Sequence, residues 1–284
     1  MNPNIIIIGS DSFLGRTIKK KFTKLGYNVI GTTKRKERVN SSIFFLDINK
    51  DINIPLKKSI KIAIICTAIT NIDFCENNAE ISYLVNVTNT KKLMNELINN
   101  DIFIIYFSTN LVFNGLIPCY NETDKLSPVT QYGLQKAEIE TFLLNNYENT
   151  LILRPTKVIG ATFELFDQWK KTLQKGEKIY PFYDYKMSPI PVNYVVSVLR
   201  LLIEEKVTGL FNLSANCDIT YSDAAYMLLK SAKEKIQLIV PVEGKNFFKY
   251  KIPQNTTLNC EKLVSKFGIQ APDVEWTIGH YSFL

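Results

Sequence analysis

No two of the five cysteines (Cys66, Cys75, Cys119, Cys217, Cys260) stand in a C-x-x-C pair, and their number is odd. Neither a disulfide framework nor a thiolate metal site is expected, and no metal is predicted. Histidine is reduced to His280, near the C-terminus, which reads as a structural residue. Long apolar runs are missing too: "NIIIIG" and "KIAIICTAI" are far too short to cross a bilayer. No basic n-region or cleavage site precedes the first apolar run, so no secretory signal is expected, and a reducing cytoplasm fits best. Internal repeats and low-complexity tracts are absent.

What is present is ordinary globular chemistry: of 284 residues, 46% are hydrophobic and 21% charged. That length suits one large domain or a core domain with a smaller lobe. The net charge of +7 comes from 34 Lys and Arg spread along the chain, a solvated basic surface rather than a nucleic-acid face. It would help to attract an anionic, phosphorylated substrate.

Short apolar runs at 4–9, 28–33, 42–47, 61–68, 102–109 and 150–155 alternate with helix-like segments at 13–25, 78–99 and 129–145. The strands are continuously apolar, as strands covered on both faces of a parallel sheet are. The order predicts an α/β fold: a Rossmann-type doubly wound parallel sheet with a smaller C-terminal α+β lobe. The first domain is expected over 1–155, with 193–214 returning to it. The lobe is expected over 156–192 and 215–284, with helices near 162–175 and 260–267, while a helix at 193–205 and a strand at 209–214 make up the part returning to the first domain. The aromatic, proline-bearing stretch 180–194 reads as a loop over a pocket.

The first strand runs into "GSDSFLG". Gly9 allows a tight turn and Gly15 a close helix–strand approach, so the helix N-terminus can receive a pyrophosphate. Ser12, Phe13 and Leu14 complete the loop. After the second strand, Thr33, Lys34 and Arg35 stand where an NAD site usually has an acid. Cations there suit a 2′-phosphate, so NADPH is favoured over NADH. Asp47, closing the third strand, and Ile48 beside it are placed to approach the adenine.

"QYGLQK" sets Tyr132 and Lys136 four apart, neighbours on one helix face. An ammonium near a phenol favours the phenolate, and such a tyrosine can deliver a proton to a carbonyl oxygen. "YFSTNLVF" supplies Ser108 and Thr109 at the end of the fifth strand, where such sheets bind ligands.

Phosphate loop, "YFSTNLVFNG", "SPVTQYGLQK" and "LILRPTKVIG" together resemble the extended short-chain dehydrogenase/reductases, most of all dTDP-4-dehydrorhamnose reductase and its relatives. "GLFNLSA" and "PQNTTLNCEKLVSKFGI" extend the likeness to the C-terminus. The resemblance implies that Thr109, Tyr132 and Lys136 are the catalytic hydroxyl, acid/base and lysine. It implies that Tyr132 and Lys136 also touch the cofactor, with Cys66, Thr67 and Ala68 beside it. Thr70, Asn110, Leu111 and Lys157 then face the substrate.

Departures fall mostly on the substrate side. Ser12 replaces a glycine, Asn110 and Leu111 an Asp and a Tyr, Lys157 a Trp, and Ile252 an Arg. The family's dehydratases carry an Asp-Glu pair after the threonine, which Asn110 and Leu111 cannot imitate. Its double epimerase-reductases need a Cys and a His. Asp184 and Glu122 could be read as an acid and a base, but no spacing joins them. The expected function is an NADPH-dependent reductase of a keto group on a nucleotide-linked deoxysugar, in cell-surface sugar biosynthesis. A nucleotide-sugar 4-epimerase and a non-catalytic cofactor-binding subunit are the alternatives. A homodimer is plausible on the family pattern; neither nucleic acid nor membrane is an expected partner.

Overall fold

The computed structural model describes residues 4–50, 54, 59–229, 233–245 and 247–281. Parts of the expected ranges 1–155 and 215–284 (1–3, 51–53, 55–58, 230–232, 246 and 282–284) lie outside them. In chain order the strands are β1 (Asn4–Ile8), β2 (Val29–Thr33), β3 (Ile43–Phe45), β4 (Ile60–Ile65), β5 (Phe103–Phe107) and β6 (Thr150–Pro155). They continue as β7 (Lys157–Ile159), β8 (Lys186–Met187), β9 (Pro189–Pro191), β10 (Gly209–Leu213) and β11 (Ile219–Thr220). The helices are α1 (Phe13–Lys24), α2 (Ile72–Asn77), α3 (Ala79–Tyr83), α4 (Thr90–Asn99) and α5 (Gln131–Asn146). After them come α6 (Glu164–Gln174), α7 (Val192–Glu204), α8 (Tyr221–Leu228), α9 (Glu261–Phe267) and α10 (Val274–Gly279).

The chain divides into two compact units. The first comprises Met1–Val112, Thr130–Arg154 and Leu199–Phe211. Its sheet runs β10-β6-β5-β4-β1-β2-β3, and β1 to β6 pair in parallel. This is the doubly wound order, and it explains the unbroken apolar runs: Ile5, Ile6, Ile7 and Ile8 are all buried, because helices cover both faces. Each such side chain contributes about 1.5–3 kcal/mol on burial. The strand order reverses between β1 and β4, and the crevice at such a switch point is where doubly wound sheets bind ligands.

The segment expected as one helix over 78–99 is broken. Asn71 caps α2 by accepting the Phe74 N–H, and Asn78, with φ −135°, separates α2 from α3. Leu84–Asn89 then form a π-helical turn before α4. At the α2–α3 break asparagine takes part directly, the Asn78 side chain donating to the Phe74 carbonyl.

The second unit comprises Phe113–Val129, Pro155–Val198 and Asn212–Leu284. Residues 113–129, expected in the first domain, therefore belong here. Gly115 explains why: with φ +66° its Cα lies so close to Pro253 and Asn255 that a Cβ would come within 2.5 Å of the proline ring. The N–H of Cys119 donates to the Thr257 carbonyl, and Phe113 stacks on Tyr120 at 4.4 Å. The stretch 180–194 is not all loop. β8 pairs antiparallel with β11, and β9 pairs in parallel with β7, burying Met187 and Ile190. These pairings are two or three residues long, too short to leave a periodicity in the sequence.

Candidate active site

The loop 9–15 fits a dinucleotide's pyrophosphate. Gly9 has φ +82°, and a Cβ on it would lie 3.0 Å from the Thr67 backbone nitrogen. A Cβ on Gly15 would lie 2.4 Å from the Gly9 carbonyl oxygen, so only glycine lets α1 start this close to β1. Ser12, in the place of the middle glycine, is the helix N-cap: its Oγ accepts the Gly15 N–H at 3.1 Å, and its own hydroxyl proton remains available to an anion. Phe13 is exposed and Leu14 half-buried at the opening of α1.

At the end of β2 the expected basic turn takes a more definite form. The Thr33 hydroxyl donates to Asp11 Oδ2 at 3.0 Å and accepts the Arg35 N–H at 3.1 Å. The Arg35 and Arg38 guanidiniums lie 3.7 and 4.0 Å from the same carboxylate oxygen. Lys34 is exposed. Sequence reasoning missed Asp11 and Arg38; their signal was a lone carboxylate inside the phosphate loop and a second arginine one 3-10 turn after the first. Asp47 accepts the Asn49 N–H, and Ile48 is buried in the core cluster with Leu46.

Tyr132 and Lys136 project from the first two turns of α5. Thr130 caps this helix by accepting the Gly133 N–H at 3.0 Å, and Glu76 accepts the Gln131 N–H at 2.7 Å. Gly133 brings the helix against the turn Asn110–Val112: a Cβ there would lie 2.1 Å from the Leu111 carbonyl oxygen. That turn begins at Thr109, just past β5, whose Oγ1 accepts the Leu111 N–H at 3.2 Å and faces Asn110 Oδ1 at 3.4 Å. Ser108 is buried, its Oγ without a hydrogen-bond partner among the described residues.

Lys136 is buried; its amine donates to the Phe107 carbonyl at 2.7 Å and lies 4.4 Å over the Tyr106 ring. Burial lowers it to about 8, against the opposing pull of Glu140 and then Cys66. The Tyr132 ring centroid is 5.8 Å from that amine. The expected depression of the tyrosine does not occur. Burial raises the Tyr132 hydroxyl above its ordinary value, with Cys75 a lesser cause in the same direction. Tyr132 is therefore a protonated phenol at neutral pH, suited to donating. Cys66, past the end of β4, is pushed up to about 12, chiefly by burial, and is no thiolate.

After β4, Thr67 lies against Gly9, Ala68 is half-buried and Thr70 exposed. Asn86, from the π-helical turn, accepts the Ile69 N–H at 2.8 Å and donates to the Ile69 carbonyl and to Gln135 Oε1. It thus ties this loop to α5; it was hidden in the sequence because its neighbours on the helix pattern are ordinary. Lys157 belongs to the second unit, exposed at the start of β7, its amine 5.7 Å from the Phe163 ring. Asp184 accepts the Gly244 N–H and Glu122 the Asn212 N–H, so both carboxylates serve backbone donors.

This geometry can be set beside known proteins. The family described as RmlD substrate binding domain matches residues 3–282. A probable low-salt glycan biosynthesis reductase, Agl14 of Haloferax volcanii, is 28% identical over 76% of this chain and 76% of its own. The dTDP-4-dehydrorhamnose reductase of Aggregatibacter actinomycetemcomitans is 27% identical over 95% of both chains. Methionine adenosyltransferase 2 subunit beta of Bos taurus is 24% identical over 92% of this chain and 82% of its own. A crystal structure of dTDP-4-dehydrorhamnose reductase from Bacillus anthracis in complex with NADP superposes with a TM-score of 0.85, at 20% identity, over 99% of both chains. No described helix is long and apolar enough to cross a membrane. With the match spanning nearly its whole length, the chain belongs to the RmlD substrate binding domain family, on an extended short-chain dehydrogenase/reductase fold.

Proposed function

We propose that this protein is an NADPH-dependent reductase of the keto group of a nucleotide-linked deoxysugar. The observation that carries the reading is the meeting of α5 with the turn after β5: Gly133 seats the helix bearing Tyr132 and Lys136 against the turn that begins at Thr109. The phosphate cradle of Gly9, Ser12 and Gly15 and the basic turn of Thr33, Lys34 and Arg35 support NADPH as the cofactor, as does the NADP in the B. anthracis complex. Asp47, Ile48, Cys66, Thr67 and Ala68 complete the cofactor side of this reading, and Thr70, Asn110, Leu111 and Lys157 the substrate side.

A bound NADPH supplies the hydride that reduces the carbonyl carbon. The chain's own residues do the rest. Thr109 offers its hydroxyl to orient the carbonyl oxygen. Tyr132, kept protonated by burial, gives that oxygen its proton as the carbon–oxygen double bond becomes an alcohol. Lys136, positively charged below about pH 8, stabilises the phenolate left on Tyr132 until that oxygen regains a proton from solvent. A cytoplasmic location and a homodimer belong to the same reading.

On this reading the substrate is a nucleotide-linked keto sugar other than dTDP-4-dehydrorhamnose. Leu111, Lys157 and Ile252 stand where the family resemblance implies Tyr, Trp and Arg, so an aromatic platform and a bidentate phosphate contact are replaced. NADPH oxidation against a panel of nucleotide 4-keto sugars tests this. A nucleotide keto sugar other than dTDP-4-dehydrorhamnose is expected to be the best substrate, and Tyr132→Phe to lower its turnover by about 10²–10⁴ with cofactor affinity kept. The likeness to methionine adenosyltransferase 2 subunit beta supports a second reading, a cofactor-binding subunit without sugar turnover. NADPH binding with no oxidation across the whole panel would select it.

A further inference from the structure

Asp11 is a carboxylate at the heart of a basic turn. Its Oδ2 receives the Thr33 hydroxyl at 3.0 Å, and the Arg35 and Arg38 guanidiniums converge on the same atom from 3.7 and 4.0 Å. Both separations exceed hydrogen-bond range, so each guanidinium keeps its N–H donors for another acceptor. The arginine side chains are half exposed, at 51% and 42%, whereas Asp11 is 21% exposed: the acid is the fixed member and the cations are adjustable. Lys36, in the same run, is turned toward the Phe45 ring. In a doubly wound dinucleotide fold the end of β2 is where the adenosine ribose is read at its 2′ position. There NADPH carries a phosphate of charge about −1.5 to −2, and NADH a hydroxyl.

We propose that Asp11 sets the cofactor preference, competing with a 2′-phosphate for Arg35 and Arg38 while offering an acceptor to a 2′-hydroxyl. The proposal rests on the reading of this site as a nicotinamide dinucleotide site. Two guanidiniums against one carboxylate leave a net positive charge, so NADPH stays favoured; the carboxylate narrows that preference and lets NADH be used beside it. The alternative effect, that Asp11 helps by holding the arginines in place, is the weaker one. Exposed ion pairs of this length add little order. Repulsion between a carboxylate and a phosphate bound by the same arginines acts on NADPH alone. At 4 Å in water a pair of unit charges shifts an equilibrium about fivefold, and the phosphate carries more than one.

The test is direct binding of NADPH and NADH to the full chain, read as the ratio of their dissociation constants. Asp11→Asn keeps the shape and an acceptor for Thr33, and should raise the preference for NADPH about tenfold. Asp11→Ser should do the same, which guards against a folding defect in either variant, and Arg38→Ala should lower the preference. A ratio unchanged or lowered in both Asp11 variants overturns the proposal. If the unaltered protein binds neither dinucleotide, the reading of the whole site fails first and this inference falls with it.

Discussion

Lys136 is a residue whose chemistry the fold changes. In water its ammonium would persist far into the alkaline range; buried on α5 it is lowered to about 8. The sign follows from burial, which disfavours the charged form. The cation is present below about pH 8 and is lost as pH rises through that value. Reduction that needs the cation beside Tyr132 should therefore weaken in step: kcat/KM for the keto sugar is expected to fall about tenfold per pH unit above roughly pH 8. Lys136→Arg, which keeps its charge, should abolish that alkaline limb even if it lowers the rate. A profile flat to pH 9.5 would mean that the ammonium has no part in the step. The pairing of Tyr132 with Lys136 was legible from their spacing of four. Their protonation was not, because a pKa depends on what surrounds a group in space. A helix wheel brings the amine near the phenol, but the Phe107 carbonyl takes that amine at 2.7 Å.

At the scale of elements, the site depends on how closely α5 can approach the turn after β5. Gly133 is usually the weaker helix former, and alanine there would gain about 1 kcal/mol of helix propensity. Against that stands a Cβ placed 2.1 Å from the Leu111 carbonyl oxygen, a backbone atom that cannot rotate away. Overpacking of this kind costs about 1–3 kcal/mol, and the steric term wins. Gly133→Ala is expected to lower the melting temperature and to reduce kcat by about 10²-fold through displacement of Thr109 from Tyr132. Unaltered melting and turnover would show that this approach is not what assembles the site. The same helix is anchored from behind by Glu140, whose carboxylate receives Arg154 Nη2 at 2.6 Å and Nε at 2.9 Å. Both partners are buried, so removing either one would leave the other's charge uncompensated. Neither Gly133's close approach nor this pair shows in the sequence, where "QYGLQKAEIE" reads simply as a good helix former with one glycine in it.

For the whole molecule, cofactor binding should appear as stability. A ligand at a hundred times its dissociation constant adds about 2.7 kcal/mol to the folded state. For a chain of this size each kcal/mol is worth about 2–4 °C. Saturating NADPH is thus expected to raise the melting temperature by roughly 5–10 °C, and NADH at the same concentration by less, in thermal scans at fixed ionic strength. No shift with either dinucleotide would remove the basis for a nicotinamide site. The order of the first unit was legible because parallel strands covered on both faces leave unmistakable apolar runs, from Ile5–Ile8 to Leu151–Leu153. The second unit was legible only in part. Its strands β7, β8, β9 and β11 are two or three residues long, and α8 and α10 are six to eight, too brief for any period to emerge.

By itself the sequence determined the sheet, the glycine turn after β1, the spacing of Tyr132 and Lys136 and the family to which the chain belongs. Each of these is written in neighbouring residues: glycines at a strand's end, four positions on a helix, apolar runs. Tertiary structure alone decided which groups share space across long separations. It brought Asp11 to Thr33, Arg35 and Arg38, Asn86 to Ile69 and Gln135, and residues 113–129 to the second unit. It also set the ionisation of Tyr132 and Lys136, because desolvation and neighbouring charge act through space, and one chain's order does not list what lies a few ångströms away.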